Sequence, residues 1–220
     1  MRKLSVNTFM TLDGVMQAPG GPPEDPTGGF AYGGWSVNYW DEMMGQVMGE
    51  YMGKPFELLL GRKTYEIFAA HWPYSKEEPA ASLLNNARKY VASRTLSRVE
   101  WDNSILLKGD VAQEIRKLKE QAGPEIQVQG SSNLIQTLLT NKLVDEFNLW
   151  IFPMVIGNGK RLFGQGTVPS SLKLVDSKTS STGVIVLVYK PAGEIKIGTF
   201  ELETPSEAEL ARRKRLEKEM

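Results

Sequence analysis

Short apolar runs of strand length alternate along this chain with stretches whose apolar residues recur at helical spacing. Leu4 to Met10 is rich in β-formers and breaks at Asp13-Gly14, which predicts a first strand. Tyr39, Met43, Val47 and Tyr51 fall four apart and predict a helix over Asn38 to Met52. Glu57 to Leu60 reads as a buried strand ending at Gly61, and Lys63 to Ala70 continues as a helix. Ala80 to Ala87 predicts a short helix, with strands at Lys89 to Ser93 and Ser104 to Leu107. Asp110 to Gln121 is amphipathic, with Val111, Ile115 and Leu118 inward. Glu125 to Gln129 is a strand meeting Gly130, and Ser132 to Thr140 is the helix behind it.

The last third changes character. Glu146 to Val155 is strand-like, Gly157-Asn158-Gly159 predicts a tight turn, and Leu172 to Ser177 and Val184 to Lys190 predict a closing pair of strands. The β-branched run from Val184 to Tyr189 predicts a central or buried position. Strand-helix repetition followed by hairpin-like strands predicts an α/β fold, a mostly parallel central sheet flanked by helices with antiparallel edge strands. Residues 1–191 are expected to form this domain, and 192–220 a charged C-terminal extension. Its helix, predicted from Thr204-Pro205-Ser206-Glu207 to Met220, has leucines too sparse for a coiled-coil seam. The glycine- and proline-rich stretch from Gln17 to Gly34 is long for a loop within a domain, so it reads as a lid or as an interface arm.

Composition narrows the chemistry. A chain of 220 residues buries enough surface to need no covalent or metal staple, and it has no cysteine. That excludes disulfide frameworks, thiol nucleophiles, cysteine-ligated zinc and the zinc-deaminase signature. A single histidine, His71, excludes multi-histidine metal sites, and no metal is expected. The 26 Lys and Arg balance 26 Asp and Glu, so no global field favours nucleic acid or an anionic membrane. The first residues lack the apolar core of a signal peptide and no long apolar run follows, so a soluble, cytoplasmic protein is expected.

Three strand-to-turn junctions end in the same chemistry. Leu58-Leu59-Leu60 runs into Gly61-Arg62-Lys63-Thr64, Val91-Ala92 into Ser93-Arg94-Thr95, and Val128-Gln129 into Gly130-Ser131-Ser132-Asn133. Each combines close backbone approach, free helix-start N–H groups, hydroxyls or cations, which is what a phosphate needs at the carboxyl edge of a sheet. Alone, each is ordinary loop or cap chemistry. Together they predict a dinucleotide lying along the strand ends. Neither a G-x-G-x-x-G fingerprint nor a Walker-A loop is present.

Several stretches resemble the dihydrofolate-reductase-like superfamily, and more closely the reductase domain of the riboflavin-biosynthesis deaminase-reductase. They are Thr11-Leu12-Asp13-Gly14-Val15, Leu59-Leu60-Gly61-Arg62-Lys63-Thr64-Tyr65-Glu66, Val91-Ala92-Ser93-Arg94, Ile126 to Ser131, Leu143-Val144-Asp145-Glu146 and Phe152 to Gly159. The resemblance implies NADPH as cofactor. It places Gly61, Arg62, Lys63 and Thr64 at the adenosine and phosphate part, Ser93 and Arg94 at the 2′-phosphate, and Gly130, Ser131, Ser132, Asn133 and Leu134 at the pyrophosphate. It sets Gly14 and Val15 near the nicotinamide. Arg62, Lys63 and Arg94 themselves favour a 2′-phosphate over a bare ribose diol. Ser131 departs from the paired glycines of many relatives and leaves that backbone less freedom.

The substrate end is read from fewer signals. Asp13 and Asp41 are the candidate catalytic carboxylates. Asp13 either positions substrate or fixes the turn with Gly14, and Asp41 either reaches the pocket or faces a helix dipole. Trp40, Phe152, Pro153, Ile156 and Gly157 are the candidate substrate contacts, with Trp35 and Tyr39 as further members of an aromatic wall. The resemblance implies a small-molecule heterocyclic substrate, most like that of 5-amino-6-(5-phosphoribosylamino)uracil reductase, with Lys160 and Arg161 as candidates for its phosphate. Dihydrofolate-reductase-type activity and a nucleotide-binding protein without turnover are the alternatives. A homodimer through the late strands is also implied.

Overall fold

The computed structural model describes residues 1–75, 78–164 and 167–219. Its first half contains β1 (Leu4–Thr11), α1 (Glu42–Met52), β2 (Phe56–Gly61), α2 (Arg62–His71), α3 (Pro79–Asn86), β3 (Lys89–Ala92) and β4 (Ser104–Leu107). The second half contains α4 (Val111–Glu120), β5 (Glu125–Val128), α5 (Ser132–Thr140), β6 (Glu146–Phe152), β7 (Leu172–Thr179), β8 (Ile185–Pro191) and α6 (Glu207–Leu216). The strands form one sheet in the order β4-β3-β2-β5-β1-β6-β8-β7. The first six strands of the chain pair in parallel, and β8 and β7 close the edge beyond β6 antiparallel. The fold class read from the periodicity is the fold observed.

Alternation along the strands sorts the core into two layers. Leu4, Val6, Leu59, Ile126 and Val128 pack with Ile115 and Leu118 of α4 and with Ile135 and Leu138 of α5. On the opposite face Leu58, Leu60 and Val91 meet Met52, Tyr65, Leu84 and Trp101. The chain passes from β1 to β2 before β5 fills the gap between them, so the sequence order of the strands reverses there. Such a reversal opens a crevice at the carboxyl ends of the strands. Lys89, fully buried, fixes the start of β3: its Nζ donates to Asn85 O, Ala87 O and Asp102 O and sits 4.1 Å from the Trp101 ring centroid.

Several boundaries differ from the periodicity. The predicted 38–52 helix is split, because Val37–Tyr39 forms a 3₁₀ turn, Trp40 is extended and Asp41 takes a β-region conformation as N-cap. The Asp41 carboxylate accepts from Met44 N at 2.9 Å, which starts the helix at Glu42 and removes Tyr39 from its stripe. Strand β8 lies next to the edge rather than centrally, and Ile185 is 37 % exposed. A β-branched run fits a half-covered pleated surface as well as a buried one. Gly157-Asn158-Gly159 closes no hairpin, since the chain runs on to pair Arg161 with Val15 before reaching β7. In the extension, Ser206 rather than Thr204 caps α6, and the predicted end at Met220 lies outside the described residues. Among the described residues no helix is long and apolar enough to cross a membrane.

Candidate active site

The crevice is built by two junctions in contact. Gly61 N–H, at the end of β2, donates to Gly130 O beyond β5 at 3.0 Å. Gly130 has φ +141, and a Cβ there would stand 2.5 Å from Thr64 Oγ1. A Cβ on Gly61 would stand 2.9 Å from Ser131 N. Only glycine at both positions lets the two backbones lie this close. The Gly130–Ser131 peptide is cis. Helices α2 and α5 begin here with no side-chain cap, whereas α1, α4 and α6 are capped by Asp41, Asp110 and Ser206. The first-turn N–H groups of α2 and α5 therefore remain available to an anion.

A cleft of about 1610 Å³ runs along these strand ends. Gly61, Arg62, Lys63, Thr64, Ser93, Arg94, Ser131, Ser132, Asn133 and Leu134 all line it, and Gly130 packs directly against Thr64. The three junctions predicted to converge do so. Arg62 is held by Glu66 at 2.9 Å, and Lys63 Nζ donates to Thr27 Oγ1 at 3.2 Å. Arg94 is exposed and has no ion-pair partner among the described residues. The Ser93 hydroxyl accepts from Thr95 N and Leu96 N, so it shapes the Arg94 turn as well as facing the cleft. Trp40 lines the opposite end.

The remaining candidates lie elsewhere. The Asp13 carboxylate accepts from the Thr11 hydroxyl, from Ile156 N at 3.2 Å and Gly157 N at 2.8 Å, and pairs with Arg161. It clasps the segment after β6 and does not line the cleft. Gly14, at φ +84, turns the chain so that fully buried Val15 can pair with Arg161, and neither faces the cleft. Asp41 spends its second oxygen on Ser181 N and Oγ in the β7–β8 turn. Phe152 is fully buried among Phe9, Trp35 and Tyr39. Pro153 and Gly157 are exposed outside the cleft, and Ile156 lines a separate cavity of about 360 Å³ with Tyr32 and Trp35. Apart from Asp41 and Phe152, these residues lie in the turns after β1 and β6, which Asp13 fastens to each other rather than opening them into the cleft.

A family model described as the RibD C-terminal domain matches residues 2–186. The chain belongs to the RibD C-terminal domain family. The uncharacterized protein YyaP of Bacillus subtilis is 29% identical over 196 residues, covering 86% of this chain and 94% of that one. A putative riboflavin biosynthesis protein from Shewanella sp. PV-4 superposes with TM-score 0.61 at 21% identity, covering 86% and 98% of the two chains. Dihydrofolate reductase from Enterococcus faecalis, solved with NADP(H), superposes with TM-score 0.55 at 14% identity over 86% and 96%. The fold is thus dihydrofolate-reductase-like, and the family is one of reductase domains of the riboflavin-biosynthesis type.

Other residues complete this RibD-type cleft. The 17–34 loop covers it: Gln17 Nε2 donates to Asp25 O and Thr27 O, and Gln17 Oε1 accepts from Lys160 N. Lys160 Nζ pairs with Asp25, and Ser36 Oγ donates to Pro19 O. Glu24, on this loop, lines the cleft and accepts from Gly20 N at 2.6 Å. Burial pushes its carboxyl above the usual range, outweighing the amides of Gly20 and Gly21. Asn7, Phe9, Tyr51 and Trp150 also line the cleft. Alternation along β1 and β6 could have singled out Asn7, Phe9 and Trp150, but nothing in sequence distinguishes the two sheet faces. Among the described residues no cluster of three His, Asp or Glu is placed to hold a metal.

For Asp13, burial works to raise the pKa, but the hydrogen bonds from Thr11, Gly157 and Ile156 prevail and hold it at about 2. A carboxylate depressed in this way stabilises the fold above its unfolded pKa and loses that contribution as pH falls through the folded value. Replacing Asp13 with Asn is expected to cost about 1–2 kcal/mol at neutral pH. In urea titrations the difference from wild type should shrink as pH falls from about 4 to about 2. A difference that stays constant across that window would contradict the clasp.

Proposed function

We propose that this protein is an NADPH-dependent reductase of a small heterocyclic substrate. One observation carries the reading: two uncapped helix N-termini, with Arg62, Lys63 and Arg94, face one cleft at the sheet's topological reversal. Arg94, which has no ion-pair partner among the described residues and is exposed at the cleft's β3 end, is suited to a 2′-phosphate. The N–H groups opening α5, beside Gly130 and Ser131, suit the pyrophosphate, and those opening α2 suit the adenosine side.

When bound, NADPH supplies a hydride at the nicotinamide C4. The protein's own tasks are to place that carbon, exclude water and hold a proton. The 17–34 loop, clamped by Gln17 and Lys160, is the water-excluding cover. Glu24 on that cover is the proton-holding group we assign, because it lines the cleft and burial favours its neutral acid. Asp13 and Asp41 are positioning residues in this scheme. The family resemblance suggests 5-amino-6-(5-phosphoribosylamino)uracil as substrate. A homodimer would cover the exposed β7–β8 edge, where Leu174, Val175 and Ile185 meet solvent.

Four outcomes test this reading. Arg94→Ala should weaken NADPH binding about tenfold or more while changing NADH binding little, measured by fluorescence titration; equal losses would remove the 2′-phosphate assignment. Glu24→Gln should lower kcat about a hundredfold at unchanged NADPH affinity. The wild-type rate should decline as pH rises through the raised Glu24 pKa, and a decline that persists in the variant would place the acid elsewhere. Light scattering should give twice the 24.5 kDa chain mass, and a monomer at micromolar concentration would exclude the dimer.

A further inference from the structure

The extension after β8 has the sequence of a strand without the partner of one. Ile195-Lys196-Ile197-Gly198-Thr199-Phe200-Glu201-Leu202 is rich in β-formers, yet no helix or strand forms between Pro191 and Glu207. Its apolar side chains all meet solvent: Ile197 is 94 % exposed, and Ile195, Phe200 and Leu202 are exposed with it. Gly198 suits a bulge, which brings Phe200 and Leu202 onto the face of Ile195 and Ile197.

The sheet has the complementary defect. Among the described residues β7 pairs only with β8, so the N–H and C=O groups along its outer side have no ladder partner. Leu174 and Val175 are exposed along it. Lys173 and Asp176 are exposed too, and neither has an ion-pair partner among the described residues. The same holds for Glu194 and Lys196 in the extension.

Charge decides how edge and segment meet. In an antiparallel register that sets Glu194 opposite Lys178, Lys196 falls opposite Asp176 and Ile197 opposite Val175. Lys178, paired with Glu50 at 3.0 Å, keeps part of its side chain in solvent. The chain's own β7 is not open to this register. Ala192 N donates to Ser171 O at 2.8 Å and Ser171 N to Gly193 O at 2.9 Å, which delivers the extension at the start of β7. From there it runs along its own edge only in parallel, and matching Glu194 with Lys173 then puts Ile197 opposite Asp176. A second copy approaches in either direction, and each copy carries one open edge and one unmatched segment.

We infer that residues 195–202 add as an antiparallel strand to β7 of a second copy of this chain, so that exchanged arms build the dimer. The inference rests on the homodimer proposed above and names what holds it together.

The native chain has no cysteine, so disulfide trapping reads the contact directly. Full-length isotope-labelled Val175→Cys is mixed with unlabelled Ile197→Cys and oxidised. Mass spectrometry should find 175–197 links between a labelled and an unlabelled chain, about tenfold or more in excess of 175–210 links formed with Leu210→Cys. By sedimentation, Ile197→Glu combined with Phe200→Glu should raise the dimer dissociation constant about tenfold or more. Asp176→Lys should weaken the dimer, and adding Lys196→Asp should restore it. Circular dichroism should stay unchanged throughout, since every altered residue is exposed. A wild-type dimer indifferent to these variants, or 175–197 links no more frequent than the 175–210 links, would overturn the arm exchange and leave the dimer to other surfaces. A wild-type monomer at micromolar concentration would overturn the exchange and the homodimer together.

Discussion

The hydrogen bond from Gly61 N–H to Gly130 O is the contact on which the site depends. It joins the ends of β2 and β5, which are far apart in sequence, and it exists only because neither residue carries a Cβ. With the two backbones in contact, α2 and α5 start side by side. Neither start is filled by a side-chain cap, and that leaves two sets of N–H groups facing the same volume.

The carboxylates that sequence made attractive serve this arrangement from outside. Asp13 ties the segment after β6 to the end of β1, and Asp41 ties the start of α1 to the β7–β8 turn. Both hold walls of the cleft without entering it. The cover is fastened by Gln17, Lys160 and Asp25, which lie 143 and 135 residues apart in their pairings. Closure of the cleft is thus a tertiary property, carried by long-range polar contacts over a loop with little structure of its own.

What the sequence revealed follows from which signals are local. Hydrophobic period, glycine at strand ends and cations after them are local, so the sheet, its helices and the junctions at Gly61, Ser93 and Gly130 were legible. The direction of a side chain across a strand depends on which face the helices cover, and that hid Phe9, Trp150 and Asn7. Phe152 was grouped with its loop neighbours, although β6 turns it inward onto Trp35. Helix caps are half-visible: Asp41 falls inside an apolar stripe that starts at Tyr39, and the stripe alone carries the helix four residues too far. Glu24 gave no signal at all, because its burial is created by the folded cover.

Amide hydrogen exchange with and without NADPH tests the central claim most directly, since it reports all three junctions at once. The account predicts that NADPH slows exchange together at residues 62–66, 93–96 and 132–135, the turns that follow β2, β3 and β5. Protection at one of these segments alone, or protection confined to the β7–β8 edge, would contradict a single dinucleotide cleft built from converging strand ends.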